Sequence, residues 1–392
     1  MSPTAVVSVS VLLVAVMGYF LLRHRRRDHN TVLPHSPYLI SLAAREKHSR
    51  LNIVDWHCDA LMWDRDLLVR SDRGHVDIPR LIEGNVAIQV FAAVTKTPEN
   101  QTYGRQNRGD SDSIRHLAVR QKWPNKTWDS LLERALYQSF RLHQYAAEAP
   151  GRLRIIGARG ELEDALQNRD RSREKGKTGP VLAILDIEGA HCLEGRIENL
   201  AALYDAGYRM IGPLHFFDNE LGGSLHGIDG GGLTEFGRAV IQRADEMGFI
   251  IDLAHASPKV VDDILTLSNR SPVISHTGVH GVCSSERNVS DEHVKRIADK
   301  GGLIAIGYWD AAVGDISPAG IVKSIRYAID LVGEDHVSLG SDFDGSTTTA
   351  LDTSELAVLT QAMMDARFTD TQISKVMGDN AVAFLLAHLP QS

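Results

Sequence analysis

Val54-Asp55-Trp56-His57-Cys58-Asp59 continues an apolar run that starts at Leu51 and ends in an imidazole and a carboxylate two residues apart. In a β-strand that spacing points both side chains to one face, so the stretch reads as a buried strand whose end carries two types of metal ligand. A lone His-x-Asp also fits a surface hydrogen-bonding pair. What decides between the two is whether other strands deliver partners.

Seven further short apolar or β-branched runs follow, near residues 86–94, 181–187, 208–214, 249–254, 272–275, 303–307 and 336–341, and with 51–57 they make eight. Amphipathic segments with start and stop signals separate them. Thr234 opens a helix that Gly248 closes, and Ser257-Pro258 opens another. Ser290 followed by Asp291 and Glu292 begins a third that ends before Gly301-Gly302, and Ser317-Pro318 begins a fourth that Gly333 stops. Strands alternating with helices predict an α/β fold with a parallel sheet, and eight is the number that closes a (β/α)8 TIM-type barrel. A ninth run, Leu153 to Ile156, falls in a long Arg-rich segment, Thr95 to Pro180, and is placed outside the barrel. That segment, with a helical stretch at 128–147, fits either a cover over the barrel mouth or a contact with a second subunit.

In such a barrel, catalytic side chains come from the C-terminal ends of the strands. Those ends carry His57 and Asp59, Asp186 and Glu188, His215, Asp252 and His255, His276, and Asp342. A ring of ionisable groups around one cavity is costly unless they pair or bind metal. His57, His255 and His276 with Asp59 and Glu188 form an N/O donor set suited to two ions, Zn2+ or a similar divalent metal, with Glu188 placed to bridge them. A hydroxide held between two such ions is a nucleophile near neutral pH, and the chemistry this implies is hydrolysis. Cys58 alternates away from this face and is expected to pack behind the strand. The glycine-rich run ending at Gly232 lacks the Lys-Ser/Thr of a phosphate loop and reads as a substrate loop.

The 392 residues carry a net charge of −8, with basic residues scattered apart from one N-terminal run, which excludes a phosphate-tracking nucleic-acid surface. Three cysteines are too few and too far apart for a disulfide framework or a zinc knuckle. Residues 5–22 are almost unbroken apolar sequence followed by Arg23-His24-Arg25-Arg26-Arg27, so residues 1–27 are expected to form a transmembrane anchor with a basic flank. A cleaved signal peptide carries its positive charge before the apolar run, and this segment does not. By the positive-inside rule the protein is expected to be single-pass, with its barrel on the cytoplasmic face. Residues 28–50 read as a polar linker and 51–392 as the barrel.

From about Leu51 to the C-terminus the chain resembles the membrane (renal-type) dipeptidases, metallopeptidases of the amidohydrolase-like barrels. The resemblance rests on an ordered set of motifs: residues 55–59, His75-Val76-Asp77-Ile78-Pro79-Arg80-Leu81, Glu188-Gly189-Ala190-His191, Leu233 to Gly237, Asp252 to Ser257, Ser275-His276, Arg287-Asn288-Val289, Gly340 to Gly345 and Gly378-Asp379-Asn380. It implies zinc-dependent hydrolysis of dipeptides to free amino acids through a metal-bridging hydroxide. His57 and Asp59 would hold one zinc, His255 and His276 the other, and Glu188 would bridge. Asp342 would be the catalytic acid/base, His215 would support substrate and oxyanion, and Arg287 would bind the dipeptide's free carboxylate. The family also implies a homodimer. The chain departs from the pattern at Cys58, where many members carry Asn, and over Phe216 to His226, which is unlike the vertebrate enzymes. His191, His226 and His280 are read as lying behind the ligands or on the surface. Other functions compatible with the motifs are hydrolysis of a cyclic amide, lactone or phosphoester, and a membrane-tethered binding protein without turnover.

Overall fold

Runs such as Val86 to Val94 and Val181 to Glu188 are apolar at nearly every position because both of their faces are covered. In the computed structural model, which describes residues 30–176 and 178–391, all eight expected runs are strands. They are β1 (Ile53–Cys58), β2 (Val86–Val94), β3 (Val181–Glu188), β4 (Tyr208–Gly212), β5 (Ile250–Ile251), β6 (Val273–Thr277), β7 (Leu303–Ile306) and β8 (Val337–Leu339). They pair in parallel in the order β5-β4-β3-β2-β1-β8-β7-β6. The two ends of this path meet where the Leu253 N–H donates to the Val273 carbonyl (2.8 Å) and Asp252 bridges Val273. The sheet thus curls round as in a TIM-type barrel.

The barrel has an inner core and an outer one. Val54, Trp56, Ile88, Val90, Leu182, Ile184, Met210, Ile250, Val273 and Ala305 share the inner cluster with Phe384 and Leu385 of the C-terminal helix Asn380–His388. Trp56 meets Phe384 edge-on at 5.7 Å, so this helix plugs the end of the barrel away from the ligand residues. The outer cluster lies between strands and helices. The four capped helices form as their signals dictate, over Glu235–Met247, Pro258–Leu267, Asp291–Asp299 and Pro318–Val332. The hydroxyls of Thr234, Ser257, Ser290 and Ser317 accept from the backbone three residues on.

Leu153–Ile155 pairs in parallel with the first half of β3, on the side that β4 takes over from Leu185 onward, so it extends the sheet without entering the barrel path. The long insert does two things. Its helix Leu131–Glu148 packs outside the strands, where the Tyr208 hydroxyl donates to the Ala135 carbonyl (2.7 Å). Its first loop lies over the mouth: the Asn107 N–H donates to the His226 carbonyl (3.2 Å), and Tyr103 lies beside Phe216.

Two expectations require correction. Residues 30–50 are not a free linker. Thr31–Val32 pairs with Thr348–Thr349, and the helix Leu42–Arg50 docks through buried Ala44 and His48, whose ring bonds Thr360 Oγ1 (2.9 Å) and the Gly84 carbonyl (3.0 Å). The apolar span at 5–22 lies outside the described residues. Among the described residues no helix is long and apolar enough to cross a membrane. The longest, Leu131–Glu148, is interrupted by Glu133, Arg134 and Arg141. The expected single-pass placement with a cytoplasmic barrel is therefore not upheld.

Candidate metal centre

Each ligand-type residue sits where a strand gives way to a turn. The pairing of β1 with β2 is irregular between Asp55 and Cys58. A bulge breaks strict alternation, so Trp56 joins the inner core and Cys58 the outer one, while His57 lies at the rim. Asp59 follows at the start of a tight turn, held by its N–H to the Phe343 carbonyl (2.9 Å). Glu188 ends β3, and Gly189 after it has φ +89°. A Cβ there would lie 2.4 Å from the His191 ring and 3.0 Å from His215. His255 and Asp342 have φ of 62° and 56°, left-handed values that cost non-glycine residues of order 1 kcal/mol each and are kept where function fixes the geometry. Gly345 is needed beside Asp342, because a Cβ there would stand 2.1 Å from the Asp342 carboxylate and 2.9 Å from that of Asp59.

These turns bring the side chains together. Glu188 Oε1 lies 3.6 Å from His57 Nε2, 3.0 Å from His255 Nε2 and 3.4 Å from His276 Nε2, and its Oε2 lies 3.4 Å from His215 Nε2. His57 Nε2 is also 3.6 Å from Asp59 Oδ1, and Asp342 shares a cluster with both. The His57 and His276 rings lie tilted to one another with centroids 3.8 Å apart, and the Nε2 atoms of His255 and His276 are 3.0 Å apart. The expected ligands thus form one cluster, with Glu188 at its centre. Arg287, 2 % exposed, lies beside it, donating to the His276 carbonyl (2.8 Å) and facing the Trp309 ring at 5.4 Å. Phe216 closes one wall, edge-on to His215 at 4.8 Å. Cys58 is in none of the ligand groups found among the described residues.

The donor set fits a divalent cation on its own chemistry. His57 Nε2 and Asp59 Oδ1 are buried and have no hydrogen-bond partner, an arrangement that is costly in a protein interior without a counter-charge. The Ser275 hydroxyl donates to Asp252 Oδ2 (2.5 Å) and so receives N–H bonds from His276 Nδ1 (2.8 Å) and His57 Nδ1 (3.3 Å). With Nδ1 protonated, both rings turn lone pairs on Nε2 toward Glu188. Sequence reasoning placed Asp252 and Ser275 at strand ends but missed this supporting role. Asp186, named at the end of the same strand as Glu188, was given no role. It lies fully buried beneath the cluster with both carboxylate oxygens unpartnered. His191, buried against Phe217 at 5.0 Å, and His226, wholly buried, lie beside the site, whereas His280 is exposed.

The electrostatics without a cation show the strain. Burial, then repulsion from Asp59, holds Glu188 well above the usual carboxylate range. Burial pushes Asp342 up to about 8, with Asp59 adding to this while His57 and Arg287 oppose it. Burial alone would lower His57, but Glu188, Asp59 and Asp342 outweigh it and raise the imidazole well above its ordinary value. Burial, with cationic neighbours, lowers His215, His255 and His276. Raised groups bind protons more tightly when folded, so their stabilisation fades as pH rises toward the folded value. The lowered histidines act oppositely, and only below the ordinary imidazole value of 6.5. Between pH 6.5 and 8 the raised groups alone act. Chelated, metal-free protein is therefore expected to lose stability as pH rises over this interval, while metal-loaded protein does not. Thermal melts of both forms across this range test it; parallel melting curves would refute it.

Imidazoles and carboxylates gathered at the C-terminal mouth of a parallel barrel define a metal-dependent hydrolase. The sequence profile of the membrane dipeptidase family, peptidase family M19, matches residues 42–386, and the chain belongs to that family as a metallo-dipeptidase. It is 32% identical over 220 residues, 53% of this chain and 77% of the relative, to the "uncharacterized protein in pqqA 5′ region" of Klebsiella pneumoniae. It is 24% identical over 363 residues, 86% of this chain and 78% of the relative, to dipeptidase aclJ of Aspergillus oryzae. The fold matches a metallopeptidase of Rhodobacter sphaeroides, solved with a phosphinate mimic of the dipeptide L-Ala-D-Ala. That match has a TM-score of 0.69 at 24% identity and covers 86% of this chain and 99% of the other.

Proposed function

We propose that the chain hydrolyses dipeptides to free amino acids using two zinc ions held by His57, Asp59, Glu188, His255 and His276. The observation that carries this reading is the convergence of three imidazole Nε2 atoms on one Glu188 oxygen, 3.0–3.6 Å away. When bound, the ions supply an activated water and polarise the scissile carbonyl. Asp342, beside Asp59 and His57, takes the proton from the attacking water and delivers it to the leaving amine. His215, on the far oxygen of Glu188, supports the tetrahedral oxyanion. Arg287 binds the substrate's free carboxylate. It is a buried guanidinium that makes no ion pair among the described residues, and its planar fork suits a carboxylate. The likeness to a protein that holds a phosphinate dipeptide mimic supports the same substrate class. The family resemblance also supports a homodimer as the working form.

The test is a panel of dipeptides with metal analysis of the same preparation. Two zinc equivalents and release of free amino acids are expected. Two equivalents without release from any dipeptide would move the assignment to a cyclic amide, lactone or phosphoester. In the same panel Arg287→Lys should raise KM for free dipeptides about 10-fold or more while changing C-terminally amidated ones little, since Lys cannot reproduce the bidentate fork. Equal effects on both would remove the carboxylate-binding role.

A further inference from the structure

His255 differs from the other two imidazole ligands in what holds its far nitrogen. His57 and His276 give their Nδ1–H groups to a serine hydroxyl, whereas His255 Nδ1 faces another imidazole, His226 Nε2, at 3.1 Å. His226 is wholly buried, stacks on Phe216 at 5.0 Å, and places its own Nδ1 2.8 Å from the Tyr103 carbonyl. A carbonyl only accepts, so that Nδ1 carries the proton. In the neutral ring Nε2 then holds a lone pair, and the hydrogen bond to His255 has a single polarity: His255 Nδ1–H donates and His226 Nε2 accepts. This fixes the His255 tautomer with its lone pair on Nε2, the atom that faces Glu188 Oε1 at 3.0 Å.

We propose that His226 is a positioning residue for the metal centre, and that the Tyr103 carbonyl, His226 and His255 form a relay of hydrogen bonds that presents His255 Nε2 as a ligand. The relay starts on the insert: Tyr103 and Asn107 bind the two ends of the His226 residue, one at its ring and one at its carbonyl. The loop over the mouth is thereby linked to ligand geometry. This inference rests on the reading of His255 as a ligand, and the test separates the two.

Zinc affinity is measured by competition with a chromophoric chelator on the full chain, for wild type, His255→Leu, His226→Phe and His226→Gln. His255→Leu should lose one of two zinc equivalents; retention of both would overturn the ligand reading and the relay with it. His226→Phe keeps the ring stacked on Phe216 but removes both nitrogens. It should weaken one equivalent about 10- to 100-fold and leave the other unchanged, the range seen when partners behind metal ligands are removed. His226→Gln offers a carbonyl oxygen to His255 and an amide N–H to Tyr103, and it should restore affinity to within a few-fold of wild type. If His255→Leu loses an equivalent while His226→Phe binds as wild type, or if Phe and Gln are equally impaired, the relay is overturned and the ligand reading stands. Long-range 15N–1H spectra of metal-free wild type give an independent readout that needs no variant: His255 should carry its proton on Nδ1, and a proton on Nε2 would overturn the proposal.

Discussion

Asp342→Asn is expected to leave zinc content near that of the wild type and to lower kcat by ~10² to 10⁴, the usual contribution of a positioned proton carrier. The amide is the same size as the acid, and the turn that holds it depends on backbone groups. Thr347 Oγ1 and the Gly345 N–H both donate to the Asp342 carbonyl, so the loop should keep its shape. What is lost is the proton site. The Asp342 carboxyl, pushed up to about 8 by burial first and by Asp59, shows that its surroundings favour the protonated form when no cation is present. A cation nearby would bring it down, toward a value at which it both accepts and gives up a proton near neutral pH. Zinc analysis and single-turnover kinetics of the variant check this. Loss of a zinc equivalent would instead make Asp342 a ligand, and unchanged kcat would remove it from the mechanism.

Glu188→Gln is expected to weaken both zinc equivalents by at least about 100-fold, beyond the 10–100-fold effect of changing a ligand's outer partner. The reason is central position. One carboxylate is within 3.6 Å of four imidazoles drawn from β1 and from the ends of β4, β5 and β6. An amide keeps the shape and removes the charge. A second consequence separates this from misfolding. Glu188 is raised by burial and by Asp59, so above the ordinary carboxylate range its ionisation costs the metal-free fold. Metal-free Glu188→Gln should therefore melt at a higher temperature than metal-free wild type at pH 8. Loss of only one equivalent would show that Glu188 serves one ion and does not bridge two.

Local signals in the sequence determined the eight strands, the four capped helices and the strand-end addresses of seven of the eight proposed site residues; Arg287, in the loop after β6, was named only through the family resemblance. These depend on short-range physics: β-branched runs form strands, a Ser or Thr hydroxyl meets the N–H groups of a helix start, and a glycine ends it. The apolar stretch at 5–22 was equally legible but says nothing about the described chain, in which no helix can span a membrane. The order of ligands along the chain also followed, because parallel βα units bring successive strand ends to one mouth.

Only the tertiary structure decided which atoms face each other. Strict alternation from Val54 to Asp59 does not describe β1: a bulge between Asp55 and Cys58 interrupts the pairing, and the pair His57 and Asp59 converges through that bulge and the turn after it. The docking of residues 30–50 could not be foreseen either, since its partners Thr348, Thr349 and Thr360 lie some three hundred residues away along the chain. Nor could the roles of Ser275 and His226. Neither carries a signal of its own, and each matters only because folding sets it behind an imidazole whose far nitrogen needs a partner in a dry interior.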